Sequence, residues 1–273
     1  MRDAAERIGT ASESPRLDAE VLLAHVTGKA RSHFLAWPER AIPPEQESEF
    51  ADLVERRCEG EPIAYITGRR EFWSREFLVT PDVLIPRPET ELLVEVALEK
   101  APPDRPSRIL DLGTGSGAIA ITLAMGRPLA QITAVDSSPA ALAVAQSNAE
   151  RLGARNVRFL LSDWYEALDP GEKFDLIVSN PPYIAENDPH LAEGDVRFEP
   201  CSALKSGKDG LDDLDRIAGA ASRHAHRGTW LMLEHGFDQA LAVCETLSAA
   251  GFTSTFSRFD LQGHHRVTGG QWC

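Results

Sequence analysis

The chain has 273 residues, of which 42% are hydrophobic and 26% charged, with a formal net charge of −14. That length holds one large core plus a small domain, and the composition is that of an ordinary soluble globular protein, with no biased repeats. The acidic balance weighs against a nucleic-acid binder, whose affinity comes largely from basic side chains on phosphates, and no window approaches the roughly 18 apolar residues of a membrane span.

Residues 1–70 read as a helical N-terminal domain. The opening residues, Met1 to Glu20, lack the apolar stretch of a secretory signal. Leu17, Val21 and Ala24 recur at helical spacing after the start signal Ser14-Pro15, and Phe50, Leu53, Val54 and Cys58 repeat the pattern. Gly28, Pro38 and Pro43-Pro44 separate these helices, and Gly60 with Pro62 closes the set. Such a region is either a small helical cap or a substrate-docking domain. Residues 71–85 read as a β-hairpin or linker, because Phe72 to Val79 alternates aromatic with polar side chains.

From residue 86 to 273 the pattern becomes alternating β and α. Arg108–Leu112, Gln131–Val135 (ending on Asp136), Val157–Leu161, Phe174–Ser179 and Thr229–Glu234 read as strands, with helices over Ala118–Met125 and Pro139–Leu152. This alternation predicts an α/β fold, Rossmann-like and doubly wound, with a mostly parallel sheet covered by helices on both faces. Ligands of such sheets bind beyond the carboxyl ends of the strands. Asp111, Asp136, Asp163 and Asn180 are therefore expected to point into one crevice.

The loop Asp111-Leu112-Gly113-Thr114-Gly115-Ser116-Gly117 lies between the first of these strands and its helix. Glycines let the backbone turn sharply there and let a ligand approach closely. A dinucleotide loop of the form GxGxxG requires glycine at 118, where this chain has Ala118. The GxGxG spacing fits S-adenosylmethionine better. Asp136 is placed to accept both ribose hydroxyls, Asp163 to accept from the adenine amino group, and Trp164 to wall its ring.

Asn180-Pro181-Pro182-Tyr183 follows a strand directly. Prolines fix φ and lack N–H, so this turn presents carbonyl acceptors with few competing donors. A planar NH2 group can give its hydrogens to the Asn180 side-chain oxygen and a proline carbonyl, with Tyr183 against its flat face. Accepting both hydrogens returns electron density to a nitrogen that resonance otherwise makes a poor nucleophile. These four residues predict amine or amide methylation, without saying whether the NH2 belongs to a protein amide, adenine N6 or guanine N2.

With these motifs in place, the chain resembles the PrmC/HemK family of class I methyltransferases. The resemblance runs through Ser14–Glu20, Pro62–Gly68, Val83–Glu91, Gly194–Pro200 and Leu233–Gly236. It implies methyl transfer from S-adenosylmethionine to the side-chain amide nitrogen (N5) of glutamine in the GGQ motif of peptide chain release factors. It also implies donor contacts from Gly113, Thr114, Gly115, Ser116, Gly117, Asp136, Trp164 and Asn180, glutamine held by Asn180 through Tyr183, and release-factor docking by the N-terminal helices. No direct nucleic-acid partner is expected. The alternative is an adenine-N6 or guanine-N2 nucleic-acid methyltransferase; a nucleotide-dependent oxidoreductase or a non-catalytic module fits the two motifs less well.

Remaining features are read more plainly. Glu89 and Thr90 look like a helix start, and we assign them, with Arg197, to helix capping beside the site. Residues 184–210 read as a lid or a solvated connection. His224, His226, His264 and His265 lack metal-ligand spacing and are expected to face solvent, so no metal is predicted. The four cysteines, Cys58, Cys201, Cys244 and Cys273, form no CxxC pair, which points to a reducing cytoplasm. Gly269-Gly270-Gln271 spells the substrate tripeptide, which we read as coincidence.

Overall fold

A computed structural model describes residues 1–37 and 39–273, so the expected break at Pro38 lies outside the described residues. They form two compact units, Met1–Arg69 with Pro189–Phe198, and Arg70–Asp188 with Glu199–Cys273.

The first unit holds α1 (Arg2–Ile8), α2 (Pro15–Thr27), α3 (Arg31–Ala36), α4 (Pro44–Cys58) and α5 (Ile63–Thr67). Pro15 and Pro44 occupy the first turns of α2 and α4, where a missing N–H costs no helical bond. Ala4, Ile8, Ala19, Leu22, Val54 and Ile66 form its apolar core. The Arg57 guanidinium, 5% exposed, sits beside that core and gives Nε to Asp18 Oδ2 at 2.7 Å and Nη1 to Asp195 Oδ1 at 2.9 Å. Arg197 donates to the Glu59 carbonyl at 2.8 Å and caps no helix beside the donor loop, contrary to expectation. The segment 184–210 is not one element either. Two short 3-10 turns, Pro189–Ala192 and Gly194–Phe198, group with the first unit, whereas Ile184 bridges to Lys205 in the second.

After α5 in the chain comes a two-stranded hairpin of β1 (Arg69–Phe72) and β2 (Arg75–Leu78). It turns on Trp73 and Ser74, both at positive φ (51° and 56°), the backbone of a tight primed turn. Then come α6 (Thr90–Lys100), β3 (Arg108–Leu112), α7 (Ala118–Gly126), β4 (Gln131–Asp136), α8 (Pro139–Leu152), β5 (Val157–Leu161) and β6 (Phe174–Ser179). The chain ends with α9 (Asp212–Ala221), β7 (Ala225–Glu234), α10 (Ala240–Ala249), β8 (Phe252–Phe259) and β9 (His265–Trp272). The seven-stranded sheet has the order β5-β4-β3-β6-β7-β9-β8. Its first five strands are parallel, and β9 runs antiparallel to both β7 and β8.

Burial explains which strands read clearly. β3 and β6 are covered on both faces, so Ile109, Leu110, Leu112, Leu176, Ile177 and Val178 are all buried. Two cores result, one beneath α6 and α7, the other beneath α9 and α10. α8 has Ser138 as its N-cap, accepting from the Ala141 N–H at 3.1 Å, and ends on left-handed Gly153.

Two expectations need correction, and the tail tripeptide gains a structural reason. β7 starts at Ala225, four residues before the expected Thr229. The Gly269-Gly270-Gln271 tail is the interior of β9, where a Cβ at Gly269 would come within 2.8 Å of the Phe256 ring. Glycine is required by that close packing, and the tripeptide is no substrate mimic. His224 does not face solvent: it is buried, stacked on Tyr165 with ring centroids 5.2 Å apart, and its Nδ1 lies 2.9 Å from the Glu172 carbonyl oxygen.

Candidate active site

From β3 the sheet steps to β4 and β5 on one side and to β6 and β7 on the other. The crevice of a doubly wound sheet opens at this reversal. Leu112 pairs with Ser179, and the Ser179 hydroxyl donates to the Leu112 carbonyl at 2.7 Å. Gly113 and Asn180 therefore leave the sheet side by side. Ser179 pairs on its other side with Leu233, which sets Glu234 at the same level beyond Asn180.

The donor loop is held from below. Gly113 and Thr114 both give their N–H to the Val135 carbonyl at 2.9 Å, and the Thr114 hydroxyl donates to Asp111 Oδ2 at 2.7 Å. Asp111 is fully buried and its Oδ1 has no partner among the described residues; burial pushes its pKa up to about 7. Gly117, at φ 83°, packs against α8, where a Cβ would lie 3.1 Å from Ala145 Cβ. Gly115, at φ 53°, would put a Cβ into open space. One glycine serves packing and the other leaves room.

Asp136 takes the Gly115 N–H on Oδ2 at 2.8 Å and the Ser138 N–H on Oδ1 at 2.9 Å. Each carboxylate oxygen keeps a further lone pair, enough for two vicinal hydroxyls. Burial raises its pKa, and the amides of Ser138, Gly115 and Ser137 oppose that shift. Trp164 sits at φ 47°, a strained backbone for a non-glycine residue; its carbonyl accepts from Ser162 Oγ at 2.9 Å and its ring lies close to Gly113. Asp163 accepts from Arg216 at 2.7 Å.

A cavity of about 240 Å³ joins these groups: Gly113, Thr114, Gly115, Ser116, Asp136, Asp163, Trp164, Asn180 and Pro182 all line it. Gly117, Pro181 and Tyr183 lie outside its walls. Pro181 is buried, and the Tyr183 ring packs on the core below α9 while its hydroxyl donates to Glu234 Oε1 at 3.4 Å. The expectation that Tyr183 presents its ring to the bound group gives way to an anchoring contact. Asn180 Nδ2 donates to the Thr90 hydroxyl at 3.1 Å, which leaves Oδ1 as the free acceptor. Thr90 caps nothing: neither it nor Glu89 makes a side-chain cap bond to α6.

Thr90, Glu234 and the pair Arg87–Glu199 escaped the reading from motifs. Glu199 accepts from the Ile85 N–H at 3.0 Å and also from Arg87, which pins residues 83–87 along the cavity wall. Their only sequence signal was membership in the family-like segments. No group of three or more potential metal ligands occurs among the described residues.

The open space above Gly115 and the spare lone pairs of Asp136 suit an adenosine-bearing donor, and the sheet order is that of class I S-adenosylmethionine-dependent methyltransferases, the class to which this chain belongs. A solved methyltransferase from Pyrococcus furiosus has the same fold, with a TM-score of 0.55 at 18% identity over 81% of this chain and 98% of that one. Models of the PrmC N-terminal domain and the methyltransferase small domain match residues 1–68 and 88–195. The chain belongs to the release factor glutamine methyltransferase family: it is 51% identical to the Salmonella typhimurium member over 96% of its length and 94% of the relative's. Against the Escherichia coli member the identity is 48%, over 100% and 97% of the two chains.

Proposed function

We propose that this chain methylates the side-chain amide nitrogen (N5) of the glutamine in the GGQ motif of peptide chain release factors. The observation that carries this reading is the shared cavity, in which the loop after β3 and the turn after β6 face one space. S-adenosylmethionine, when bound, supplies an electrophilic methyl on a sulfonium. Gly113 to Ser116 would cradle it, with Gly117 shaping the loop, Asp136 taking the ribose hydroxyls, and Asp163 and Trp164 bounding the adenine.

On the acceptor side, Asn180 Oδ1 and the Pro181 carbonyl would accept the two amide hydrogens, with Pro182 closing the wall and Tyr183 bracing the turn. Both acceptors favour the resonance form with its lone pair on nitrogen, and they aim that pair at the methyl. The rate gain then comes from orientation and fixed dipoles rather than from a strong base. Nitrogen would gain the methyl as the bond from that methyl to sulfur breaks, and the donor would leave as the neutral thioether S-adenosylhomocysteine. The surplus proton would pass to solvent, so the product is a neutral N-methyl amide.

The N-terminal unit, residues 1–70 in our reading with the 71–85 hairpin as connector, would dock the release factor. The surroundings would be the reducing cytoplasm, in keeping with the free state of Cys58, Cys201, Cys244 and Cys273. None of the described helices is long and apolar enough to cross a membrane.

Asn180→Ala tests the clamp. We expect kcat on a release factor to fall roughly 100–1000-fold, as for the loss of one oriented polar group, with donor affinity changed far less. Near-normal turnover would remove the clamp mechanism.

A further inference from the structure

One side chain that methyl transfer as described does not use joins three loops around the acceptor turn. Gln239 stands just before α10, where a side chain commonly caps the helix, yet it makes no cap bond there. Its amide reaches the loops after β6 and β7 and the one before α9 instead. Oε1 accepts from the Gly236 N–H at 2.8 Å. Nε2 donates to the Tyr183 carbonyl at 3.1 Å and to the Gly210 carbonyl at 3.3 Å, with the Asp209 carbonyl at 3.5 Å. These partners fix which way the amide faces, because an N–H needs the amide oxygen and carbonyls need the amide nitrogen. Gly210, at φ 75°, makes room for the meeting: a Cβ there would lie 2.3 Å from the Tyr183 carbonyl oxygen and 2.8 Å from Gln239 Nε2.

The contact with Tyr183 has a mechanical consequence. A peptide unit is planar, so holding both of its edges fixes its orientation. In the Tyr183–Ile184 unit, Gln239 holds the carbonyl edge and the Leu204 carbonyl takes the Ile184 N–H at 2.9 Å. At the other end of the turn, Ser179 is paired with both Leu112 and Leu233. Between these two anchors, Pro181 and Pro182 have their φ locked by their rings. Few torsions remain, and the Pro181 carbonyl is left with one direction. Gln239 is itself anchored, since its N–H donates to the Gly236 carbonyl at 3.1 Å and its carbonyl accepts from the Val243 N–H at 3.0 Å. Without the Gln239 amide, only the Ile184 N–H holds that peptide plane. The plane then swivels about this one bond and carries the turn with it.

We propose that Gln239 is a positioning residue for methyl transfer, which acts through the Tyr183 carbonyl to hold the Pro181 carbonyl and Asn180 in their aim at the substrate NH2 group. This inference rests on the clamp reading of Asn180 above. Gln239 does not line the cavity, so its replacement leaves the donor site intact.

The test compares Gln239→Glu with Gln239→Met, using a GGQ-bearing release factor and S-adenosylmethionine. The glutamate keeps the shape and the acceptor for Gly236, but it sets an oxygen against the carbonyls. The methionine keeps the volume and loses both contacts. We expect kcat to fall roughly 10–100-fold in Gln239→Glu and at least as far as in Gln239→Met, as for a small misplacement of an oriented group. KM for the release factor and donor Kd should stay within about twofold. Donor stoichiometry by titration calorimetry should stay at the parental value, which shows that the lost rate is not lost folded protein. Should Gln239→Glu fail to fold, Gln239→Lys decides the matter: it donates to the carbonyls, cannot accept from Gly236, and should exceed Gln239→Met in kcat.

Parental kcat in Gln239→Glu would overturn the inference, whether Gln239→Met is impaired (the Gly236 contact is then the one that counts) or not. So would a Gln239→Lys rate no better than that of Gln239→Met. If Asn180→Ala is crippled while Gln239→Glu is normal, only this inference falls. If Asn180→Ala itself turns over normally, the clamp reading falls and this inference with it.

Discussion

Alanine at Gly117 and at Gly115 should fail in different ways, although both glycines belong to one loop. A Cβ on Gly117 would lie 2.8 Å from Ile121 Cδ1 and 3.1 Å from Ala145 Cβ, on a backbone with φ 83°. The left-handed conformation costs an alanine about 1–2 kcal/mol. Overpacking adds about 1–3 kcal/mol, and the stiffer unfolded chain returns about 0.4–1 kcal/mol. The net loss is about 1–5 kcal/mol with its centre near about 3 kcal/mol, and at roughly 2–4 °C per kcal/mol the melting point drops by several degrees. Gly115→Ala carries the same backbone penalty at φ 53°, but its Cβ meets nothing within 4 Å. Its stability loss should stay near about 1 kcal/mol. The added methyl instead takes up space needed for close approach of a ligand, so donor affinity should weaken roughly tenfold. Differential scanning calorimetry gives the first quantity and titration calorimetry with S-adenosylmethionine the second. Equal melting points for the two variants, or a tighter donor in Gly115→Ala, would refute the division between a packing glycine and a ligand-facing one.

Two further predictions concern stability. Arg57→Leu strands the buried Asp18 carboxylate, and denaturant unfolding should show a loss of about 3–5 kcal/mol; a change within about 0.5 kcal/mol would show that the pair is dispensable. Asp111 has its pKa raised by burial from 3.8 to about 7. The folded chain therefore holds a proton that the unfolded chain releases, so stability falls as pH rises from about 4 to about 7 and levels off above. Asp111→Asn should remove that part of the slope; curves that run parallel for the two proteins would contradict the assignment.

The donor loop and Asn180 were legible in the sequence because several local signals coincide there. Ile109–Leu112 and Phe174–Ser179 are short apolar runs, each broken by residues with special backbone demands: glycines in one case, prolines in the other. The rule that crevices open at the reversal of strand order then brings the two together. Thr90 was not legible, because an ordinary helix start hides a contact made with a residue 90 positions away. The same holds for Glu234, whose burial depends on α6 and β9 closing over it.

The β8–β9 pair was missed for another reason. Phe252–Phe259 exposes much of its polar surface at a sheet edge, and β9 carries Gly269-Gly270, a composition that normally argues against a strand. Only the packed sheet reveals that the Phe256 ring and the Leu231 carbonyl leave no room for a side chain at Gly269. His224 likewise looked like a solvent-facing histidine until Tyr165 supplied its stacking partner.

Transfer of label from S-adenosylmethionine to a mixture of release factor and nucleic acid separates glutamine methylation from base methylation. Label should enter the release factor alone, at the GGQ glutamine, and should disappear when that glutamine is replaced or when Asn180 becomes alanine. Label in DNA or RNA, or label in the release factor that survives loss of the glutamine, would contradict the account.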